Sequence, residues 1–107
     1  MNRREKIEAM LADDPTDTFL RYSLAMELRG AGEHAKSLAQ LDELMREDPP
    51  CVAAFFMAGQ QLVDLDRVDE ARERLRQGIE QARAQGDVHA AGEMSEFLTT
   101  LGDYGEL

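Results

Sequence analysis

The sequence predicts an all-α protein assembled from antiparallel helix pairs. The dipeptide Asp14-Pro15 recurs 34 residues later as Asp48-Pro49, and an internal period of this length is typical of arrays of repeated helix pairs. Apolar residues recur at the spacing of one helix face, which is i, i+4, i+5 and i+8 in the first period and i, i+3, i+4 and i+7 in the second. No segment shows the strict alternation of apolar and polar residues that a half-buried strand requires. These three observations predict the fold class.

The N-terminal helix, expected at residues 2–13, matches the second helix of a repeat. Its apolar residues Ile7, Met10 and Leu11 precede those of the next such helix by 34 residues. Proline fits the first turn of a helix but not its interior, so each Asp-Pro closes one helix and opens another. We therefore assign residues 1–14 to a helix that precedes the first full repeat.

Two full repeats follow, each a pair of helices joined by a short turn. The first repeat (15–48) is expected to contain helices at 16–30 and 34–47, and the second (49–85) helices at 50–65 and 68–85. On the 34-residue period Leu28 aligns with Leu62, and Leu41 aligns with Leu75. Small residues such as Gly59 fall where two helices would approach closely.

The central helix carries a long uncharged stretch, from Pro49 to Val63. A bilayer span takes about 20 apolar residues, so this stretch is too short to cross a membrane. A middle helix in a stack touches neighbours on both sides, which explains its apolar character. We expect Phe55 to lie in the core and Phe56 to lie outside it.

The C-terminal part, residues 86–107, repeats only half of the unit. Its helix is expected at 88–101, where Ala91, Met94 and Leu98 reproduce the apolar stripe of a first helix. The segment LGDY at 101–104 matches the turn between the two helices of a repeat. This half repeat is expected to cap the array.

These features together resemble the tetratricopeptide repeat family. The second repeat carries the resemblance best, with DEA opening its second helix and bulky and small residues at the family's recurring positions: Phe55, Ala58, Gly59, Leu62, Ala71, Leu75, Gly78 and Ile79. The first repeat departs from the pattern, since Arg21 replaces a bulky aromatic residue and Ser37 replaces an alanine. The resemblance implies a right-handed α-solenoid of about two and a half repeats plus an N-terminal helix, with the first helices lining a concave groove.

Residues of the first helices that lie off the packing stripe are expected to face this groove. The candidate peptide-binding residues are Phe19, Tyr22, Met26, Arg29, Phe56, Gln60, Val63, His89 and Glu96. Exposed strips of aromatic residues and methionine tend to mark interaction sites. A purely structural explanation stays open for several of them: Tyr22 and Phe56 could pack on each other, Arg29 could pair with Glu96, and His89 could be an ordinary solvated residue.

Composition narrows the class of partner. The chain has 22 acidic against 12 basic residues and a net charge of −10. This balance argues against nucleic acid and against an anionic membrane surface, because both require clustered cations. The single cysteine, Cys51, cannot form an internal disulfide, so we expect a reducing, cytoplasmic location. The charged N-terminus lacks the apolar run of a secretory signal.

No constellation of residues indicates catalysis. The histidines, His34 and His89, have no partner at metal-ligand spacing, and one cysteine does not make a zinc site. Phosphate-binding loops and nucleophile–base pairs are equally lacking in the sequence. We therefore expect no enzyme activity, no cofactor and no metal.

The sequence thus predicts a protein–protein interaction module that binds an apolar or amphipathic peptide segment in its groove. Two alternatives stay open at this point. The terminal helices could mediate self-assembly, including a homodimer, or the chain could be a small acidic chaperone of the secretion type. The identity of the partner does not follow from the sequence.

Overall fold

The computed structural model describes residues 1–103, and in that range it consists of helices only. The prediction of an all-α fold is therefore confirmed. The α-helices are α1 (Arg3–Asp13), α2 (Thr18–Gly30), α3 (His34–Met45), α4 (Val52–Asp64), α5 (Val68–Ala84) and α6 (Val88–Thr100), followed by a short 3₁₀ helix, Leu101–Asp103. The last part of the predicted half repeat, residues 104–107, lies outside the described residues.

Side-chain caps determine where several helices begin. Asn2 accepts a hydrogen bond from the backbone N–H of Glu5 at 2.8 Å, and the Glu5 carboxylate accepts one from the Asn2 N–H, which completes a capping box. Asp17 accepts from the Leu20 N–H at 2.9 Å. The predicted start of α2 at residue 16 is therefore wrong by two residues, because Asp17 is the cap and α2 begins at Thr18.

Three helix ends share one geometry, in which a residue with positive φ reverses the chain. The N–H of the following residue then bonds the carbonyl five positions back, as in a Schellman motif. The positive-φ residues are Gly32 (77°), Asp66 (60°) and Gly86 (76°), and the closing bonds run from Glu33 to Leu28 (2.9 Å), Arg67 to Leu62 (2.8 Å) and Asp87 to Ala82 (2.8 Å). Gly32 and Asp66 are 34 residues apart, so the period extends to the turn inside each repeat, whereas Gly86 ends α5 and lies outside that period.

Residues 1–51 form one compact unit, in which α2 packs against both α1 and α3. Its core contains Ala25 and Leu28 from α2 and Leu41 and Leu44 from α3, all buried. Helix α1 buries a single residue, Ile7. Met10, which the period aligns with buried Leu44, is instead 49% exposed, because α1 has a neighbour on one side only within this unit.

The described residues from 52 onward form the second compact unit, in which α5 packs against α4 and α6. Two glycines allow the close approach. A Cβ on Gly59 would lie 2.7 Å from Leu75 Cδ2, and a Cβ on Gly78 would lie 2.5 Å from Phe55 Cβ and 2.6 Å from Met94 Sδ. The apolar stretch of α4 is interior as expected, and Phe55 is only 5% exposed.

A buried arginine fixes the end of α6 to α5. Arg72 donates through Nη2 to the carbonyl of Leu101 at 2.7 Å, and through Nη1 to Asp69 Oδ1 at 2.7 Å. Because a buried charge is costly without partners, these two bonds hold the C-terminal end of α6 in one register.

Candidate functional site

The α2 face is the most exposed apolar strip in the first unit. Phe19, Tyr22, Met26 and Arg29 follow one another at intervals of three, four and three residues, which places them on one side of the helix. Phe19 is 75% exposed and Met26 is 46% exposed, whereas Tyr22 and Arg29 are partly buried. Two large apolar side chains therefore meet solvent on a face where the sequence predicted a binding surface.

Tyr22 lies between these two exposed residues in a half-buried site. Burial raises the pKa of its phenol, and nearby Cys51 raises that pKa further, while the Arg29 guanidinium acts in the opposite direction. The phenol is therefore neutral around pH 7. A neutral hydroxyl at the centre of an apolar strip can donate or accept one hydrogen bond from a bound peptide.

The α4–α6 face is the corresponding strip in the second unit. The rings of Phe56 and Phe97 pack edge to face, with centroids 5.8 Å apart and an interplanar angle of 67°. Both side chains are partly exposed. Edge-to-face pairs stabilise beyond simple area burial, so this contact joins α4 to α6 and leaves an aromatic surface open to solvent.

The outward side of α6 continues this face. At about 100° per residue, His89, Gly92, Glu93 and Glu96 lie opposite the buried side, which carries Ala91 and Met94. His89 Nε2 lies 3.2 Å from Glu93 Oε1. A Cβ on Gly92 would meet nothing within 4 Å, so there is open space between His89 and Glu96 at this point of the helix.

The other predicted site residues lie on α4 and α6. Gln60 and Val63 are partly exposed on α4, while His89 and Glu96 are exposed on α6. The four α2 residues share one side of their helix, and the exposed sides of α4 and α6 meet at the Phe56–Phe97 pair. The single groove that the sequence predicts from all of them stays a prediction, as do the Tyr22–Phe56 contact and the Arg29–Glu96 pair.

The sequence analysis missed Phe97. Helix α6 begins 36 residues after α4, as our alignment of the half repeat assumed. Phe97 therefore corresponds to Gln61, a buried position of α4, and the repeat itself gives no signal that Phe97 lies on the exposed face.

A shallow cleft of about 460 Å³ lies on the other flank of α6, between it and α5. It is lined by Arg76, Glu80 and Arg83 around Ile79, with Ser95 on the α6 side. Ser95 and Phe97 lie on opposite flanks of the outward side of α6, since residues on a helix are separated by about 100°. The cleft is therefore separate from the α4–α6 face.

Within residues 1–102, no group of three or more His, Cys, Asp or Glu side chains is placed to hold a metal ion. No described helix is both long enough and apolar enough to pass through a bilayer. The two faces defined above are therefore the features of the described chain that invite a functional interpretation.

Known proteins resemble this chain in sequence and in fold. No family profile matches the sequence. A TPR repeat-containing protein of Pseudomonas aeruginosa is 29% identical over 97 residues, which cover 91% of this chain and 92% of that protein. The solution structure of a tetratricopeptide repeat domain protein from Salinibacter ruber superposes with a TM-score of 0.80 at 31% identity, covering 87% of this chain and 94% of that one. The chain belongs to the tetratricopeptide repeat family.

A second solved structure agrees with this assignment. A protein of Bordetella parapertussis, known from its solution structure, superposes with a TM-score of 0.79 at 26% identity, covering 94% of this chain and 88% of that one. Because tetratricopeptide repeats form a protein-interaction fold, the chain is a protein-interaction module.

The first repeat departs from the family pattern at two positions, and the structure explains both. Arg21, in the place of an aromatic residue, forms ion pairs with Glu43 of α3 and with Glu47, which follows the end of α3. Ser37, in the place of an alanine, is fully buried and donates from Oγ to the Ala25 carbonyl at 2.7 Å. Polar contacts thus join α2 to α3 in this tetratricopeptide repeat, where apolar ones are more usual.

Proposed function

We propose that this tetratricopeptide repeat protein binds an apolar or amphipathic segment of another protein through the exposed faces of its first helices. The observation that carries the proposal is the exposure of Phe19 and Met26 on one side of α2. Exposed apolar strips of this kind are a feature of interaction surfaces. The half-exposed Phe56–Phe97 pair on α4 and α6 supports the same role in the second unit.

Peptide recognition suits these faces physically. Phe and Met side chains contribute large contact areas, and few polar groups need to be desolvated when an apolar side chain covers them. Tyr22, Gln60 and His89 would supply hydrogen bonds that orient the bound segment. Catalysis has no part in this proposal.

Selection from a random peptide library tests the proposal. Immobilised wild-type protein is used for selection, and the Phe19→Ala/Met26→Ala variant is used for counter-selection. Both side chains are exposed, so their removal should change stability by no more than about 0.5 kcal/mol. We expect the retained peptides to share apolar anchor residues and to bind the variant at least tenfold more weakly. Peptides that bind both proteins equally would contradict a role for the α2 face.

Self-assembly through a terminal helix is the second candidate function. It is favoured by the 49% exposure of Met10 on α1, since an uncovered apolar residue on an end helix can meet a second copy. Sedimentation over a range of protein concentrations tests it. A mass that doubles with concentration in the wild type, but not in Met10→Gln, would support this function over peptide binding by a monomer.

A further inference from the structure

The α4–α6 face has acidic residues and no lysine or arginine of its own. Helix α4 contains neither basic residue type, and none occurs from Gly86 to Leu107. Helix α6 carries Glu93 and Glu96 on its outward side. Glu93 is paired with His89, and Glu96 forms no ion pair within the described residues of the second unit.

The basic residues of the second unit lie on α5 or immediately before it. Arg67 pairs with Glu70, and Arg72 is held by Asp69 and the Leu101 carbonyl. Arg76 and Arg83 line the cleft on the flank of α6 that lies opposite to Phe97. The aromatic pair is therefore flanked on the α6 side by carboxylates whose charge the described residues of the second unit leave largely uncompensated.

We propose that the α4–α6 face binds a cationic amphipathic segment. An apolar side chain of the segment would lie on the Phe56–Phe97 pair, and lysine or arginine side chains would lie beside Glu93 and Glu96. This inference rests on the proposed function and adds the charge of the partner to it.

Charge complementarity on the rim of an apolar patch mainly sets partner choice and association rate. Exposed ion pairs are weak individually, so the two glutamates together should change affinity by about three- to tenfold. The effect should shrink in salt, because the screening length falls from about 10 Å at 0.1 M to about 3 Å at 1 M. Apolar binding is not weakened by salt in this way.

Two synthetic amphipathic peptides test the inference. The cationic peptide combines leucine and phenylalanine on one helical face with lysine on the other, and the anionic peptide has glutamate in place of every lysine. Affinities are measured for the wild type, for Glu93→Gln/Glu96→Gln and for Glu73→Gln/Glu80→Gln. The last variant removes the same charge from exposed positions on α5, so it controls for attraction to the acidic chain as a whole.

We expect the wild type to prefer the cationic peptide by at least tenfold. Glu93→Gln/Glu96→Gln should lower the affinity for that peptide about three- to tenfold at low salt. The Glu73→Gln/Glu80→Gln control on α5 should change this affinity by less than about twofold. An equal loss in both charge variants, or equal affinity for both peptides, would overturn the inference.

Phe97→Ala separates this inference from the proposed function. The variant removes one ring of the Phe56–Phe97 pair and leaves Glu93 and Glu96 in place, and circular dichroism checks that its helices are retained. If Phe97→Ala weakens the binding of both peptides equally and the Glu93→Gln/Glu96→Gln variant changes neither, the apolar site stands and the charge preference is wrong. If Phe97→Ala changes neither affinity, or neither peptide binds the wild type, the binding face itself is wrong.

Discussion

At the scale of single residues, the glycines of the second unit differ in what surrounds them. Gly78 is enclosed by the Phe55 Cβ, which is fixed to the backbone, and by the Met94 sulfur. Gly59 faces only the end of the Leu75 side chain, which can rotate. Gly92 faces open space. The same substitution, glycine to alanine, should therefore have a different effect on stability at each of these positions.

We expect Gly78→Ala to destabilise the protein by about 1–3 kcal/mol, because the added methyl overpacks a three-helix contact. Gly59→Ala should cost less than Gly78→Ala. Gly92→Ala should be neutral or stabilising by up to about 1 kcal/mol, because alanine is the better helix former. Urea denaturation measures all three, and a Gly78→Ala variant as stable as Gly92→Ala would contradict the packing described.

Two glycines at the end of α2 offer a second comparison. Gly32 has a φ of 77°, which disfavours residues with a Cβ, whereas Gly30 lies within the helix and has free space around it. We expect Gly32→Ala to cost about 1–2 kcal/mol and Gly30→Ala to stabilise by up to about 1 kcal/mol. Thermal melts of the two variants check this, and the same sign for both would contradict the turn geometry.

Alanine substitutions of the two adjacent phenylalanines of α4 should also differ in their effect on stability. Phe55 is buried, so Phe55→Ala should cost about 3–5 kcal/mol. Phe56 is partly exposed and contacts Phe97 at its edge, so Phe56→Ala should cost markedly less. Chemical denaturation gives both values, and equal losses would mean that the assignment of the two faces is wrong.

At the scale of elements, α1 is held to the first unit by few apolar contacts and several charges. Ile7 is its only buried residue. Arg3 pairs with Glu27 at 2.9 Å, and Arg4 pairs with Glu33. Hydrogen bonds from Lys36 and Arg4 lower the pKa of the Glu33 carboxyl.

A lowered carboxyl pKa makes the docking of α1 pH-dependent. The stabilisation is complete above the ordinary pKa of glutamate and is lost as the pH falls through the lowered pKa of Glu33. Arg4→Gln should therefore reduce the melting temperature at neutral pH and have little effect in strong acid. Circular dichroism melts of both proteins at the two pH values measure this, and an Arg4→Gln effect that is independent of pH would exclude the ion pair as its cause.

At the scale of the whole molecule, the sequence was sufficient for the repeat and most helix bounds. Apolar periodicity and the recurring Asp-Pro located every α-helix to within a few residues, because repeat proteins use similar local contacts in each unit. The division of residues 1–107 into a leading helix, two repeats and half a repeat stays a prediction. The described packing is organised as two compact units.

What the sequence did not reveal depends on contacts between helices. Ser37 bonds the carbonyl of Ala25, and Arg72 bonds the carbonyl of Leu101. The spacing of residues within one helix does not specify which carbonyl of another segment lies beside them. Phe97 was missed for a similar reason, since its role depends on the approach of Phe56. The exposed positions of Phe19 and Met26, in contrast, follow from helix periodicity alone.

The central claim is that the exposed faces of the first helices bind a peptide segment. Titration of isotope-labelled protein with the cationic amphipathic peptide, followed by NMR, tests it most directly. We expect saturable shifts on the α2 face and the α4–α6 face, at Phe19, Met26, Phe56, Glu93 and Phe97. Shifts confined to α3 and α5, or no saturable shifts at all, would contradict it.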